Sequence, residues 1–588
     1  MASTATRWSH LLQPRQPKAF AMAKIAIINP AFEVSYWGLE HAQKMMGYRA
    51  NMPVASLPLL AALTPPEHEV VLIDENVEDI DYDMLADFDI VGITGMSVQR
   101  FRMEEILTEL RAREMFVVAG GPWVTVEESY FESLVDVTFV GEAEVTWPQF
   151  LTEWENGTHS RRYEQAEKTD MTTIPTPRHD LLKNEHYMFG SLQFSRGCPF
   201  QCEFCDIIVT FGRRPRIKNA SQIIDELNCL KAQGVKIGFI VDDNLIGNKK
   251  AIKPVLAEVA RWQEENDYPM VFSTEASLDL CEDAELMELM ARCNIQSVFI
   301  GIESPNEESL KETKKYQNVR ERGGSIVEKV HIIQDFGIEV WCGLIVGFDN
   351  DTPEIFENQK TFIKQARITH AMIGLLHAIP KTPLYDRLKE EGRLDMSDQH
   401  EFGTNVIPKQ MSREELLHGY LETMQHSYQP DVYFDRLDSL FLNRDFMFRT
   451  FRTEYFRKHK WLQVKQFSFF MAGFCVLFWR LMRGVPDKDL RKIYRRRIFG
   501  AMKSRFRSPS IFFFYTIKCA MHYHHYKMTT DMIEDPTKFV SSYGKSMRTD
   551  SPNHEHAHEP AGSCSSKTPV TVGALPIVKE VAACESNA

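Results

Sequence analysis

Short apolar runs alternate with helical patterns twice along this chain, and that alternation admits few folds. The first series is "KIAIINP" (24–30), "HEVVLID" (68–74), "DIVGITG" (89–95), "MFVVAGG" (115–121) and "VTFVGE" (137–142). Helical patterns such as "MEEILTELRAR" (103–113) lie between several of them. Strands that are apolar on both faces and alternate with helices form a parallel sheet covered on both sides. Endings in Gly or Asn place a ligand crevice at the carboxyl ends of the strands. The second series is "SLQFS", "IGFIVDD", "MVFSTEA", "SVFIGIES", "EVWCGLIVGF" and "AMIGLLHAIP", between about 191 and 394. Six such βα units predict an open or partial barrel with its chemistry at the strand ends.

The chain has 588 residues, more than one core holds. The expected fold class is α/β: an N-terminal doubly wound parallel sheet, a central partial (β/α)6 barrel, a C-terminal helical domain and a disordered tail. The boundaries read as an extension or leader (1–22), the sheet domain (23–160), a proline-carrying linker (161–190), the barrel (191–400), helices (401–530) and the tail (531–588). The leader has Arg and Lys but no acid, like a transit peptide; it also reads as a disordered extension with Met22 as an alternative start. A net charge of −13 argues against a general nucleic-acid binder. The cysteines at 229, 281, 293, 342, 475 and 519 are scattered singly and are expected to be buried small hydrophobes in a reduced, cytoplasmic protein. No run of about 18 apolar residues occurs. The nearest, "QFSFFMAGFCVLFW" (466–479), reads as a buried or interfacial helix. Residues 480–507 hold eleven Lys or Arg against two Asp, and the aromatic "IFFFYTIKCAMHYHHY" (511–526) follows. The pair suits peripheral contact with an anionic membrane, or a helical cap that packs its aromatics on the barrel. "MHYHHYK" and "NHEHAHE" suggest adventitious metal binding only.

Cys198, Cys202 and Cys205 follow the first barrel strand in a C-x3-C-x2-C pattern. Thiolates suit zinc or iron–sulfur clusters. Three of them on a 4Fe–4S cube leave one iron open; a three-cysteine zinc knuckle is the bland alternative. With Phe204 before the last cysteine, the loop resembles the radical S-adenosylmethionine (SAM) superfamily. That resemblance implies that SAM chelates the open iron and is cleaved to a 5′-deoxyadenosyl radical. "FIVDDNLIG" (239–247) lies where the family contacts the SAM amino group, with Asp242, Asp243 and Asn244 in place of the commoner Gly-Gly-Glu. "FIGIESPN" (299–306) puts Glu303 at a SAM contact, and "GLIVGFDN" (343–350) puts Gly343 and Gly347 beside adenine, with Asn350 where Glu is common. The arginines of "GRRPR" (212–216) contact SAM or an acidic substrate group, or form a solvated basic loop.

The sheet domain before this loop resembles the cobalamin-binding class of the superfamily. "GITGMSVQR" (92–100), "VVAGGPWVT" (117–125) and "VGEAE" (140–144) are the corresponding loops. They imply cobalamin contacts at Gly95, Ser97, Gly120, Gly121, Gly141 and Glu142. The D-x-H-x-x-G frame of other cobalamin domains falls on "DENVED" (74–79), with Asn76 at the histidine position, so no lower histidine ligand is expected. His68 is expected at the surface. A degenerate sheet without cofactor is the alternative. Trp37 and Trp123 read equally as packing on corrin or substrate and as core aromatics.

Over about 24–530 the chain is similar to hopanoid C-2 methylases. The resemblance implies three cofactors: a 4Fe–4S cluster, SAM and cobalamin. It also implies methylation of an unactivated carbon of an apolar lipid through methylcobalamin. Bacteriochlorophyll-type tetrapyrrole methylation, a non-methylating radical SAM enzyme and a non-catalytic cluster or corrin binder are the alternatives. An electron donor such as flavodoxin or ferredoxin is an expected partner. The expected location is cytoplasmic, with peripheral contact at the inner membrane surface. No residue is identified as touching substrate.

Overall fold

The computed structural model describes residues 22–319, 322–397, 400, 402–443, 451–504 and 509–535. The expected leader and tail, apart from Met22 and residues 531–535, lie outside the described residues.

The first sheet has six parallel strands: β1 (Lys24–Asn29), β2 (Glu69–Asp74), β3 (Ile90–Thr94), β4 (Val117–Gly120), β5 (Val137–Val140) and β6 (Arg162–Glu164). Their order is β2-β1-β3-β4-β5-β6. Successive residues point to opposite faces, and each face has its own core: Ile28, Val91, Ile93 and Leu107 on one, Ile25, Ile27, Phe139 and Phe150 on the other. This is the expected doubly wound sheet. The strand order reverses between β1 and β3, which opens a crevice beyond Asn29 and Thr94. β6 lies within the segment expected to be linker. It pairs Phe139 with Tyr163, and two of its three residues are charged, so no apolar run marks it.

The second sheet is also six-stranded and parallel: β7 (Gly190–Leu192), then β10 (Ile237–Ile240), β11 (Val271–Ala276), β12 (Ile295–Glu303), β13 (Glu339–Val346) and β14 (Ala371–Leu375). Between β7 and β10 a small antiparallel ribbon, β8 (Ser195–Arg196) with β9 (Arg216–Ile217), holds the two ends of the cysteine loop together. Each barrel strand pairs with its neighbour in the series, and β7 and β14 form the two open edges. This is the expected partial barrel.

Among the described residues, six α-helices follow: Arg413–Ser427, Pro430–Asp438, Phe451–Lys458, Lys460–Gly484, Lys488–Ser504 and Pro509–Glu534. They close the amino-terminal end of the barrel. Lys518 pairs with Glu339, the first residue of β13, at 2.6 Å. The Tyr428 hydroxyl donates to the carbonyl of Ala371, the first residue of β14, at 2.9 Å. "MHYHHYK" is core rather than a surface tract. His522 bonds Tyr494 Oη through Nδ1 at 2.7 Å, and His524 Nε2 reaches Ser35 O at 2.9 Å. Burial holds both imidazoles neutral, with pKa values lowered to about 3.

Three single-residue expectations change. His68 is buried, because its Nδ1 accepts the backbone N–H of Ala23 beside β1 and Nε2 faces Glu155. Cys475 is exposed and Cys229 half-buried; Cys281, Cys293, Cys342 and Cys519 are buried as expected. The apolar segment 466–479 belongs to a longer helix, Lys460–Gly484, of 25 residues. By length and composition alone that helix could cross a membrane, and only 11% of its apolar stretch is buried, so the buried-helix reading is not met.

Candidate active site

The cysteine loop starts at Gly197, whose φ is +89°. A Cβ there would lie 2.9 Å from the carbonyls of both Gly212 and Arg214, so the turn requires glycine. Cys198 N–H donates to Gly212 O at 3.2 Å, and Cys205 N–H to Cys202 O at 3.1 Å. Burial pushes the Cys198 and Cys205 thiols up, and Cys202 is also buried. Amide groups face two of the sulfurs: Gln317 Nε2 lies 3.5 Å from Cys202 Sγ, and Asn244 Nδ2 lies 3.8 Å from Cys198 Sγ. Three thiols on one loop, two of them met by N–H donors, fit the ligands of an iron–sulfur cluster. Among the described residues no group of His, Cys, Asp and Glu forms a site for a metal ion.

The Asp242–Asn244 turn is tied to the cysteine loop and to the end of β11. Asp242 is 1% exposed, and its carboxylate accepts Phe194 N–H at 2.7 Å and Ser195 Oγ–H at 2.6 Å. Both oxygens are engaged within the protein, so Asp242 clamps the cysteine loop rather than offering a ligand contact. Asp243 Oδ2 accepts Gly197 N–H at 2.6 Å, and the residue stays half-exposed. Burial raises their pKa values to about 7 and about 6. Asn244 also holds Ser277 Oγ at 3.1 Å.

Glu303 ends β12 with φ +65°, a strained conformation for a residue with a side chain. Its register with β13 shifts between Gly301 and Glu303. Lys315, which sequence reasoning missed, pairs with Glu303 at 2.7 Å; its Nζ lies 5.9 Å from the Phe204 ring centre. Burial opposes the charge on the Lys315 ammonium, but Glu303, with the Cys202 and Cys205 sulfurs once ionised, keeps it protonated above the usual lysine range. Glu275, on β11, was also missed. Burial raises its pKa to about 8, and Asp243, Asp242 and Glu303 add to the rise. Its only sequence signal is a carboxylate inside a buried strand. Gly343 on β13 faces the Phe299 ring, 3.0 Å from where a Cβ would be. Gly347 has φ +106°, and its N–H, with that of Phe348, donates to Asp351 Oδ2 at 3.0 Å. Asn350 donates its backbone and side-chain N–H groups to Glu312.

The links that join the carboxyl ends of the first sheet to those of the barrel include a lysine bridge and a carboxylate hub. Lys381, beyond β14, donates to Thr125 O, beyond β4, at 2.7 Å. Glu142, beyond β5, binds Arg196 at 2.9 Å and Arg216 at 3.0 Å and accepts Thr169 N–H at 2.9 Å. Glu142 is therefore a buried ion-pair hub at the position where a cobalamin contact was expected. Arg216 is absorbed by the same hub, whereas Arg213 and Arg214 are exposed. These contacts hold the two sets of strand ends close to each other. Gly141, beyond β5, has φ +80° and open space where a Cβ would be; Val145 just after it is exposed, as are Met96 and Val98 beyond β3. Ser97 opens the turn after Gly95, and its carbonyl accepts from Arg100 at 3.0 Å. Gly121 has φ +98°, and a Cβ there would crowd Thr94 and Gly95. Gly120 meets Phe139 at 3.2 Å in the same way. Gly120 and Gly121 thus serve close packing of the sheet ends as well as any ligand. Trp123 Nε1 is buried with no hydrogen-bond partner among the described residues. Trp37 enters the barrel instead, 4.7 Å from Phe299 and 6.5 Å from Phe239 between ring centres. The Asn76 side chain closes a turn with Asp74, Phe32 and Pro30.

An open six-stranded barrel with a three-cysteine loop at its carboxyl end, facing a doubly wound sheet, defines the class of radical SAM enzymes with an N-terminal cofactor-type domain. The Radical SAM superfamily profile matches residues 192–362, and a domain of unknown function (DUF4070) matches residues 382–538. An uncharacterized methyltransferase of Synechocystis sp. (sll1242) is 36% identical over 504 residues, covering 85% of this chain and 90% of that protein. The hopanoid C-2 methylase of Rhodopseudomonas palustris is 34% identical over 421 residues, covering 71% of this chain and 79% of that protein. The bacteriochlorophyllide d C-12(1)-methyltransferase of Chlorobaculum tepidum is 23% identical, covering 69% of this chain and 90% of that protein. The cobalamin-dependent SAM radical enzyme OxsB has the same fold: TM-score 0.55, 15% identity, covering 88% of this chain and 81% of OxsB. The chain belongs to the radical SAM superfamily. Within it, the chain is a methyltransferase of the group to which the Synechocystis and Rhodopseudomonas proteins belong.

Proposed function

We propose that this enzyme is a cobalamin-dependent radical SAM C-methyltransferase acting on an apolar lipid of the hopanoid class. The observation that carries the reading is the 34% identity to a hopanoid C-2 methylase over 71% of this chain. Cys198, Cys202 and Cys205 would hold the cluster. Phe204, Asp243, Asn244, Glu303, Gly343 and Gly347 would border SAM, with Lys315 and Glu275 beside them. Gly95, Ser97, Gly120, Gly121 and Gly141 would border the corrin. When bound, these cofactors supply one-electron cleavage of SAM and carriage of the methyl group. The chain's own residues do the rest. Glu303 and Lys315 form a fixed charge pair next to the thiols, and Glu275 adds a buried carboxyl beside them that keeps its proton near neutral pH. Trp37, Phe239 and Phe299 fill the barrel interior and keep water from the reacting carbon. A small electron carrier of the flavodoxin or ferredoxin kind supplies the electron, and the reaction takes place in the cytoplasm.

The test is lipid and pigment profiling of a gene deletion. Loss of a methylated hopanoid, restored by complementation, is the expected result. Unchanged lipids with an altered tetrapyrrole would transfer the assignment to pigment methylation.

A further inference from the structure

The helix Lys460–Gly484 presents an apolar face to solvent. Trp461 is 77% exposed, Trp479 is 54% exposed, and Val464 and Val476 are exposed between them. These four fall on one side of the helix, since residues eighteen apart are five full turns apart. The two tryptophans are therefore ~27 Å apart along one edge. The helix contains no acidic residue, and Arg483 covers the Trp479 ring at 4.3 Å.

The next helix, Lys488–Ser504, continues this surface with charge. Phe478 and Phe499 join the two helices with ring centres 5.8 Å apart. Lys488, Lys492, Arg495, Arg496 and Lys503 are exposed and pair with no acid among the described residues. Between residues 460 and 504 there are eleven Lys or Arg and two Asp, in a chain whose net charge is −13.

We propose that these two helices form a docking face for an anionic lipid bilayer, with Lys460–Gly484 lying in the plane of the interface. Exposed aromatics next to a basic face match the interfacial region of such a membrane, where rings rest among headgroups and cations meet anionic lipid. A second copy of the chain does not suit this face, because a two-fold contact would bring like charges together. Crossing the bilayer does not suit the helix either. Its inner side packs along Pro509–Glu534, through Phe470 and Phe513 at 5.8 Å and Phe474 and Phe512 at 6.3 Å. That partner carries the buried Lys518–Glu339 pair and cannot follow into hydrocarbon. The inference is independent of which substrate is methylated.

The test is flotation of the purified full chain with vesicles of phosphatidylcholine alone and of phosphatidylcholine with phosphatidylglycerol. The protein is expected to float with the anionic vesicles only, and to be released by high salt and by alkaline carbonate. Trp461→Ser with Trp479→Ser, and separately Arg495→Glu with Arg496→Glu, should each lower the bound fraction about tenfold or more. All four positions are at the surface, so unchanged circular dichroism and Tm are expected. Equal flotation with neutral vesicles, retention through carbonate, or no flotation would overturn the proposal. So would a dimer that the same substitutions dissociate. If a variant misfolds, the salt dependence of wild-type binding still tests the proposal on its own: binding that high salt leaves unchanged would overturn it.

Discussion

Gln317 approaches Cys202 Sγ from a buried position, and Asn244 approaches Cys198 Sγ. An N–H group directed at a thiolate withdraws charge from it and favours the reduced cluster. Replacing Gln317 by Leu should therefore move the cluster midpoint potential to more negative values in a redox titration followed by electron paramagnetic resonance. An unchanged potential would show that the amide only packs. Glu275 has a consequence that can be read in the apoprotein. Its pKa is raised to about 8 by burial, whereas an unfolded Glu titrates near ~4.3. The folded chain thus retains a proton that the unfolded chain gives up. The resulting contribution to stability is full below pH ~4 and is lost as pH rises toward 8. The Tm of the apoprotein should fall across that window, and Glu275→Gln should flatten the fall. Asp242 and Asp243 are raised in the same direction and remain in the variant, so part of the slope should persist. The cysteine trio was legible because its spacing is local. Asp242 and Glu142 were not. A carboxylate that clamps a loop and one that meets a ligand have the same letter, and only their partners distinguish them. Lys315 lies more than a hundred residues from the cysteines it faces, so no local pattern marks it.

At the scale of elements, the Glu142 hub joins β5 to the cysteine loop through Arg196 and Arg216. Removing one member of a buried ion cluster leaves the others uncompensated, at a cost of about 3–5 kcal/mol. Glu142→Ala should accordingly lower the Tm by several degrees. It should also raise amide hydrogen exchange in both the cysteine loop and the end of β5. Destabilisation confined to the first sheet would contradict the linking role. Most strands were legible because both of their faces are buried, which leaves continuous apolar runs such as "IIN" and "GIT". β6 was not, because Arg162 and Glu164 flank its one buried residue. The helix Lys460–Gly484 was read too short, because Gln463, Lys465 and Gln466 interrupt the apolar letters without breaking the helix.

At the scale of the whole molecule, two parallel sheets present their carboxyl ends to each other, and helices close the far end of the barrel. Alternating strands and helices made both sheets legible. Their mutual orientation rests on contacts such as Lys381 with Thr125, 256 residues apart, which no sequence window spans. The central claim is that radical SAM chemistry starts at the cysteine loop, where the carboxyl ends of the two sheets meet. The most direct measurement is formation of 5′-deoxyadenosine from SAM by the anaerobically reconstituted, reduced protein, wild type beside Cys202→Ala. The wild type should produce it. The variant should not, while retaining the circular dichroism of the folded chain. Cleavage of SAM by the variant, or none by a cluster-loaded wild type given reductant and substrate extract, would contradict the claim.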